Sequence, residues 1–299
     1  MSRFEPPDVL VLGGGGILGE AWMSAVIAGL SEATDFDPLG CEGYVGTSAG
    51  SIVAAALAAG IDPRKRLGEL PEQPAIPETE PEHPGLAERV VNVSGLALGP
   101  VAAIGLRSTE AAGALLRRAA LARVDPGRRS LADLGRAVER WGTSWDGRLS
   151  IAAVELGTGR RVMFGTDGAP VASVGDAVEA SCAIPGYFRP IEVDGRRYVD
   201  GGVWSPTNLD RAPVSRRTPV LCLNPTATLR PSRAMPYGAL GPVSRSLAAV
   251  EALSLERRGA KVRVVAPDAT STAAMAGRLM DGRRRAGTIA AGLAQGRRL

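Results

Sequence analysis

Hydrophobic positions along this chain fall into short solid runs and helical repeats. Residues 8–12 (DVLVL) are almost wholly apolar, as a parallel strand buried on both faces requires. Gly13 to Gly16 break the run. Trp22, Val26 and Leu30 then recur at i, i+4 and i+8, which predicts a helix with one apolar face. The unit repeats: Gly43-Tyr44-Val45 leads into Gly46-Thr47-Ser48-Ala49-Gly50, and alanine-rich residues 51–59 predict a helix ending at Gly60. Between 62 and 88, Pro63, Pro71, Pro74, Pro77, Pro81 and Pro84 exclude a regular helix or a central strand. Glu69, Glu72, Glu78, Glu80 and Glu82 keep that segment in water, so a long loop is expected. An uncharged stretch at 90–106 follows, interrupted by Gly95, Gly99, Pro100 and Gly105. It suits a lipid-facing lid as well as a buried core helix, and is marginal in length for a bilayer span.

Helices are predicted over 109–121 and 131–141, the second capped by Ser130 with Asp133 at N3. Strands are predicted at 149–156 and 161–164, then a helix at 174–182 stopped by Pro185. Asp194-Gly195 marks a hairpin whose second arm ends at Asp200. Strands at 220–223 and 262–265 and helices at 239–258 and 273–294 complete the chain. Strands alternating with helices predict an α/β sandwich with a mostly parallel sheet. A single domain over 1–299 is expected, with its core motifs between 8 and about 202, an insertion at about 62–107, and C-terminal strands and helices completing the fold.

Composition changes this picture little. With 299 residues, 45% of them hydrophobic, the chain can bury one sizeable core. A formal charge of +4 is no nucleic-acid signature, and no nucleic-acid partner is expected. The basic runs Arg283-Arg284-Arg285 and Arg297-Arg298 read as a solvated face, or as an attraction to anionic lipid head groups. Cys41, Cys182 and Cys222 are odd in number and lack metal-ligand spacing, so reduced buried thiols are expected. Residues 1–7 carry no apolar signal core. The expectation is a cytoplasmic protein whose membrane contact is at most peripheral; its oligomeric state is not legible.

Gly46-Thr47-Ser48-Ala49-Gly50 fits G-x-S-x-G, a sharp strand-to-helix turn that exposes a nucleophilic serine; the alternative is a plain glycine-rich turn. Such a serine needs a base. The one histidine, His83, sits in the proline and glutamate loop, which argues against a Ser-His-Asp triad. The two lysines, Lys65 and Lys261, lie in no motif. Asp200 is the best carboxylate: it closes a strand, and Gly201 and Gly202 after it let the backbone bend, although Asp-Gly is also a common surface turn. Gly14, Gly16 and Gly19 also spell G-x-G-x-x-G, with Asp35 and Asp37 near the acidic position of a dinucleotide site. The same loop can instead present N–H groups as an oxyanion hole.

GGGGILG at 13–19, GTSAG at 46–50 and DGG at 200–202, in that order, resemble the patatin-like phospholipase family. The stretch SCAIPGYFRPIEVDGRRYVDGG from Ser181 and the segment MAGRLMDGRRR from Met275 are similar to family segments too. The resemblance implies a three-layer α/β/α fold and a Ser-Asp dyad, with Ser48 as nucleophile and Asp200 as proton acceptor. Gly14, Gly15 and Gly16 would form the oxyanion hole, with Gly19, Gly46, Gly50, Gly201 and Gly202 as motif glycines. It implies cleavage of fatty-acyl esters of lipids through an acyl-enzyme. No metal-binding constellation is visible, so no cofactor and no metal, calcium included, are expected. Leu18 stands where the family commonly has arginine. That departure motivates the alternative of a weak or inactive lipid-binding protein on the same fold.

Overall fold

Residues 5–68, 110–229 and 240–299 are described by the structure, a computed structural model. The 90–106 stretch, His83 and most of the 62–88 segment lie outside them. Five strands run parallel: β1 (Val9–Leu12), β2 (Gly43–Thr47), β3 (Leu149–Glu155), β7 (Pro219–Leu223) and β8 (Lys261–Val265), side by side as β3-β2-β1-β7-β8. β4 (Arg161–Phe164), β5 (Ile191–Val193) and β6 (Arg196–Asp200) add antiparallel pairs at the β3 end. The sheet is therefore mixed and mostly parallel, as expected.

Side chains alternate across it. Leu10, Leu12, Tyr44, Leu149, Ile151 and Leu223 face the larger core. There they meet α1 (Gly16–Ala33), α2 (Ala49–Ala58), α5 (Ala132–Glu139) and α6 (Val174–Cys182). Val9, Val11, Val45, Val220 and Cys222 face the opposite layer, reached by Leu255 of α7 (Leu240–Arg257). Leu121 of α4 (Glu110–Leu121) covers Val154 and Val199. Helices thus flank both faces, the three-layer α/β/α arrangement. Among the described residues no helix is long and apolar enough to cross a membrane.

α1 is buried all round from Leu18 to Leu30, not along one face. Its outer side is covered by α9 (Arg285–Gly296), which approaches so closely that a Cβ on Gly29 would lie 2.3 Å from the Leu293 carbonyl oxygen. The helix expected over 273–294 is two helices. α8 (Ala269–Met275) ends where Ala276 and Gly277 take φ of 47° and 70°, and Asp281 then caps a 3-10 turn before α9. Pro63, expected to exclude helix, instead starts the single-turn helix α3 (Pro63–Arg66), where its missing N–H costs nothing and Asp62 caps the turn. Leu131, not Ser130, holds the cap position of α5; the Ser130 hydroxyl accepts from Ala132 N at 3.1 Å instead.

Gln295 ties the added layer down. Its Oε1 accepts from Trp22 Nε1 (2.9 Å), Ser271 Oγ (2.9 Å) and Asp268 N (3.1 Å), and its Nε2 donates to the Ala266 carbonyl (2.7 Å). Gln295→Leu leaves these groups unpaired, and urea unfolding is expected to show a loss of about 2–4 kcal/mol.

Candidate active site

The site begins as a problem of strand pairing. β3 has two edges. β4 occupies one, over Ile151 to Val154. β2 pairs over Leu149 to Ala152 and β6 over Ala153 to Glu155, so each overlaps β4 and must take the other edge. They arrive from opposite directions and stop head-on: Thr47 lies opposite Ala152, and Asp200 opposite Ala153. Neither chain can continue straight. Ser48 therefore leaves the sheet with φ 50° and ψ −123°, a strained conformation for a residue with a side chain, and caps α2. The turn is tight enough to dictate its flanks. A Cβ on Gly46 would lie 2.5 Å from Ser51 Cα, and one on Gly50 would lie 1.9 Å from the Leu12 carbonyl oxygen. The G-x-S-x-G spacing is thus steric in origin.

Asp200 turns out of the sheet as well. Its Oδ1 accepts from Gly202 N at 2.7 Å, and its own N–H donates to the Ala183 carbonyl at 2.9 Å. The nearby Ser48 hydroxyl favours the charged form of its carboxylate. Ser48 is 9% exposed and Asp200 6%. Burial pushes the Asp200 carboxyl up from 3.8 to about 6, and the Ser48 hydroxyl and Gly202 N–H limit the rise. The serine thus has a carboxylate partner of unusual basicity, in a site nearly closed to water.

The glycine loop lies alongside. A Cβ on Gly14 would stand 3.4 Å from Ser48 Cβ. The three expected oxyanion donors are not equivalent. Gly14 N–H is donated to the Pro206 carbonyl at 2.8 Å. Gly15 and Gly16 N–H groups, at the N-terminus of α1, have no hydrogen-bond partner among the described residues. Gly19 packs against Pro225, and a Cβ on Gly201 would lie 2.4 Å from the Ala152 carbonyl oxygen. Leu18 has no exposed surface and belongs to the larger core, with its N–H donated to the Leu279 carbonyl at 2.9 Å. At this position the side chain is a packing group.

The dinucleotide reading fails on placement. Asp35 and Asp37 precede β2, while the glycine loop follows β1, and β1 and β2 are parallel. The acids therefore lie at the opposite end of the sheet from the glycines, where a ribose on that loop could not reach them. A cleft of about 300 Å³ lined by Thr34, Asp37, Pro38, Asp62 and Arg64 is also at that far end of α1. Lys261 pairs with Glu5 at 2.6 Å on the β8 edge. All three cysteines are free and buried. Cys182 sits beside the dyad, but burial and the Asp200 charge hold its thiol neutral, so it is no rival nucleophile.

Two contributors escaped the sequence reading. Ser181, fully buried near the end of α6, accepts from Ser48 N at 2.8 Å and donates to the Ala152 carbonyl at 2.7 Å. It fills the gap where β2 stops. The residues 205–208 are the second. Ser181 lay within a recognised motif, but its role depends on a strand ending elsewhere. For 205–208 the available signal was the turn-forming run Ser205-Pro206-Thr207-Asn208, two residues after the Asp200-Gly201-Gly202 turn.

A raised carboxyl pKa weakens the fold where the group is charged. Asp200 favours the native state below pH 3.8, and that contribution is lost as pH rises through about 6. Relative to Asp200→Asn, the wild type is expected to lose about 3 kcal/mol across this window. Urea unfolding of both proteins from pH 4 to 8 reads it; parallel curves would refute it.

A family model described as Patatin-like phospholipase matches residues 10–213. Among solved structures the chain is similar to VipD from Legionella pneumophila, at 16% identity and a TM-score of 0.41, covering 97% of this chain and 67% of that one. It is similar to the type III effector protein ExoU at 19% identity and a TM-score of 0.38, covering 98% of this chain and 54% of that one. The chain thus spans about two thirds of the first and about half of the second.

Proposed function

The chain belongs to the patatin-like phospholipase family, and from that premise we propose that it is a serine acyl hydrolase cleaving fatty-acyl esters of lipids through the Ser48–Asp200 dyad. The observation that carries this reading is the pairing of a nucleophile held at φ 50° with a buried carboxylate whose pKa lies near 6. The family supplies the substrate class; the geometry supports the chemistry.

Ser48 Oγ attacks the ester carbonyl carbon as its proton passes to Asp200. Charge develops on the carbonyl oxygen, and the unengaged N–H groups of Gly15 and Gly16 are suited to hold it, aided by the positive end of α1. The tetrahedral intermediate collapses, the leaving alcohol takes the proton from Asp200, and acyl-Ser48 remains. Asp200 then accepts a proton from water as it attacks the acyl carbon, and returns that proton to Ser48 Oγ as the acyl–Oγ bond breaks and the fatty acid is released. A carboxylate of ordinary pKa is a weak base for this task, and burial corrects that. No step needs a metal or cofactor. The three buried free thiols support a reducing compartment; in the basic run Arg283 and Arg284 lean on Asp281 at the surface while Arg285 turns inward to the Arg66 and Leu67 carbonyls, so the run supports at most peripheral contact with anionic lipid.

The test is hydrolysis of p-nitrophenyl esters of graded chain length. Ser48→Ala and Asp200→Asn are expected to lose about a thousandfold or more in kcat while staying folded. Wild-type kcat/KM is expected to rise with pH through a midpoint near 6, because Asp200 must be ionised to accept the proton. Fluorophosphonate should label Ser48. A wild type that neither turns over nor labels, yet binds lipid vesicles, would favour the inactive lipid-binding reading.

A further inference from the structure

Asn208 touches neither the dyad nor the free N–H groups of the glycine loop, yet its surroundings engage all three motifs. It is fully buried and sits in the left-handed region at φ 48° and ψ 33°, which asparagine tolerates better than other residues with a side chain. Its amide orientation is fixed by charge. Arg161, 3% exposed, donates from Nη1 to Asn208 Oδ1 at 3.0 Å and pairs with Asp210 through two contacts of 2.8 Å. Nδ2 must therefore face acceptors. It donates to Ser205 O at 2.7 Å and Thr47 Oγ1 at 3.1 Å, with a longer contact to Gly201 O at 3.4 Å.

Thr47 directly precedes the nucleophile, and Gly201 directly follows the base. One amide group thus bridges the two chain ends that meet on β3. The same turn holds the third motif, because Pro206 presents its carbonyl to Gly14 N at 2.8 Å. Asn208 N donates to Ser205 Oγ at 3.1 Å, which folds the turn back on itself. Buried Glu251 anchors it from the α7 side, accepting from Thr207 Oγ1 at 2.6 Å and Leu209 N at 3.0 Å.

We propose that Asn208 is a positioning residue: its side-chain amide sets the separation of Ser48 from Asp200 by tying Thr47 to Gly201, and its left-handed backbone keeps Pro206 on Gly14. This rests on the hydrolase reading for its catalytic consequence, but the positioning itself concerns the dyad's geometry and can be read without turnover. Substrate contacts are untouched, so the effect belongs in kcat. A misplacement of about 1 Å costs about a hundredfold in rate in such sites.

The test uses Asn208→Gly, which keeps the left-handed backbone and deletes the amide, and Thr47→Val, which deletes the acceptor on the same path. Each is checked for folding by near-ultraviolet circular dichroism. Expected are a fall in kcat of about ten- to a hundredfold, KM within about threefold of wild type, and a double variant no worse than the poorer single one. The Asp200 carboxyl carbon is followed by NMR titration in wild type and Asn208→Gly. Its midpoint should rise by about half a unit or more in the variant, because moving the Ser48 hydroxyl away from the carboxylate removes support for the charged form.

A folded Asn208→Gly with wild-type kcat and an unmoved midpoint overturns the proposal and leaves the hydrolase reading standing, as does a loss confined to KM. A wild type without turnover, whose Asp200 midpoint still moves in Asn208→Gly, overturns the hydrolase reading and leaves the positioning role standing. Should Asn208→Gly fail to fold, Thr47→Val carries the same kinetic and titration tests.

Discussion

The two strands that share one edge of β3 are the constraint from which the rest of the site follows. β2 and β6 run toward each other and stop at adjacent positions, opposite Ala152 and Ala153. The chain must leave the sheet twice within a small space, so two residues with chemically useful side chains are turned toward each other. Where β2 stops, the Ala152 carbonyl loses its strand partner, and a buried unpaired carbonyl is costly. Ser181 satisfies it and passes the connection on to Ser48 N. The same crowding leaves no room for a Cβ at Gly201. Nucleophile, base and flanking glycines are solutions to one problem of backbone pairing.

Burial then turns geometry into reactivity. Ser48 and Asp200 both lie buried at strand ends, with at most a tenth of their surface exposed. The penalty on the Asp200 charge raises its pKa, and in the proposed mechanism that is what lets the carboxylate accept a proton from serine. The neighbouring thiol of Cys182 feels the same penalty and stays protonated, so one environment arms the carboxylate and silences the sulfur. The α1 N-terminus contributes differently. Its Gly14 donor is engaged by Pro206, and its next two have no partner among the described residues. The loop is held at one point so that the others stay open.

Much of this was legible from local pattern. Apolar runs and glycine turns located the strands to within a residue or two, apart from β5, whose hairpin arm had no bounds, and the G-x-S-x-G and Asp-Gly-Gly spacings marked Ser48 and Asp200. These features are local because each reports the sterics of a few consecutive residues. What the sequence hid was relational. That β2 and β6 share an edge depends on β4 taking the other, and no local window contains all three. Ser181 and Asn208 act through residues more than a hundred positions away in the chain. The all-round burial of α1 was missed because its outer face is covered by α9, and the break after Met275 because an alanine and a glycine there adopt the left-handed region. Leu18 looked like a lost charge by comparison with the family pattern, whereas in this fold it is packed in the core.

The order in which the site's parts occur along the chain also bears on how the protein is made. Ser48 is synthesised early, but its backbone rests on Ser181, its base is Asp200, and both are tied through Asn208. β1 is flanked by β2 on one side and by β7, more than two hundred residues later, on the other. The outer wall of α1 arrives only with the last helix. A nascent chain emerging from the ribosome therefore carries Ser48 well before Asp200 exists to partner it. Under the proposed mechanism, hydrolytic power therefore waits for residues made long after the nucleophile itself.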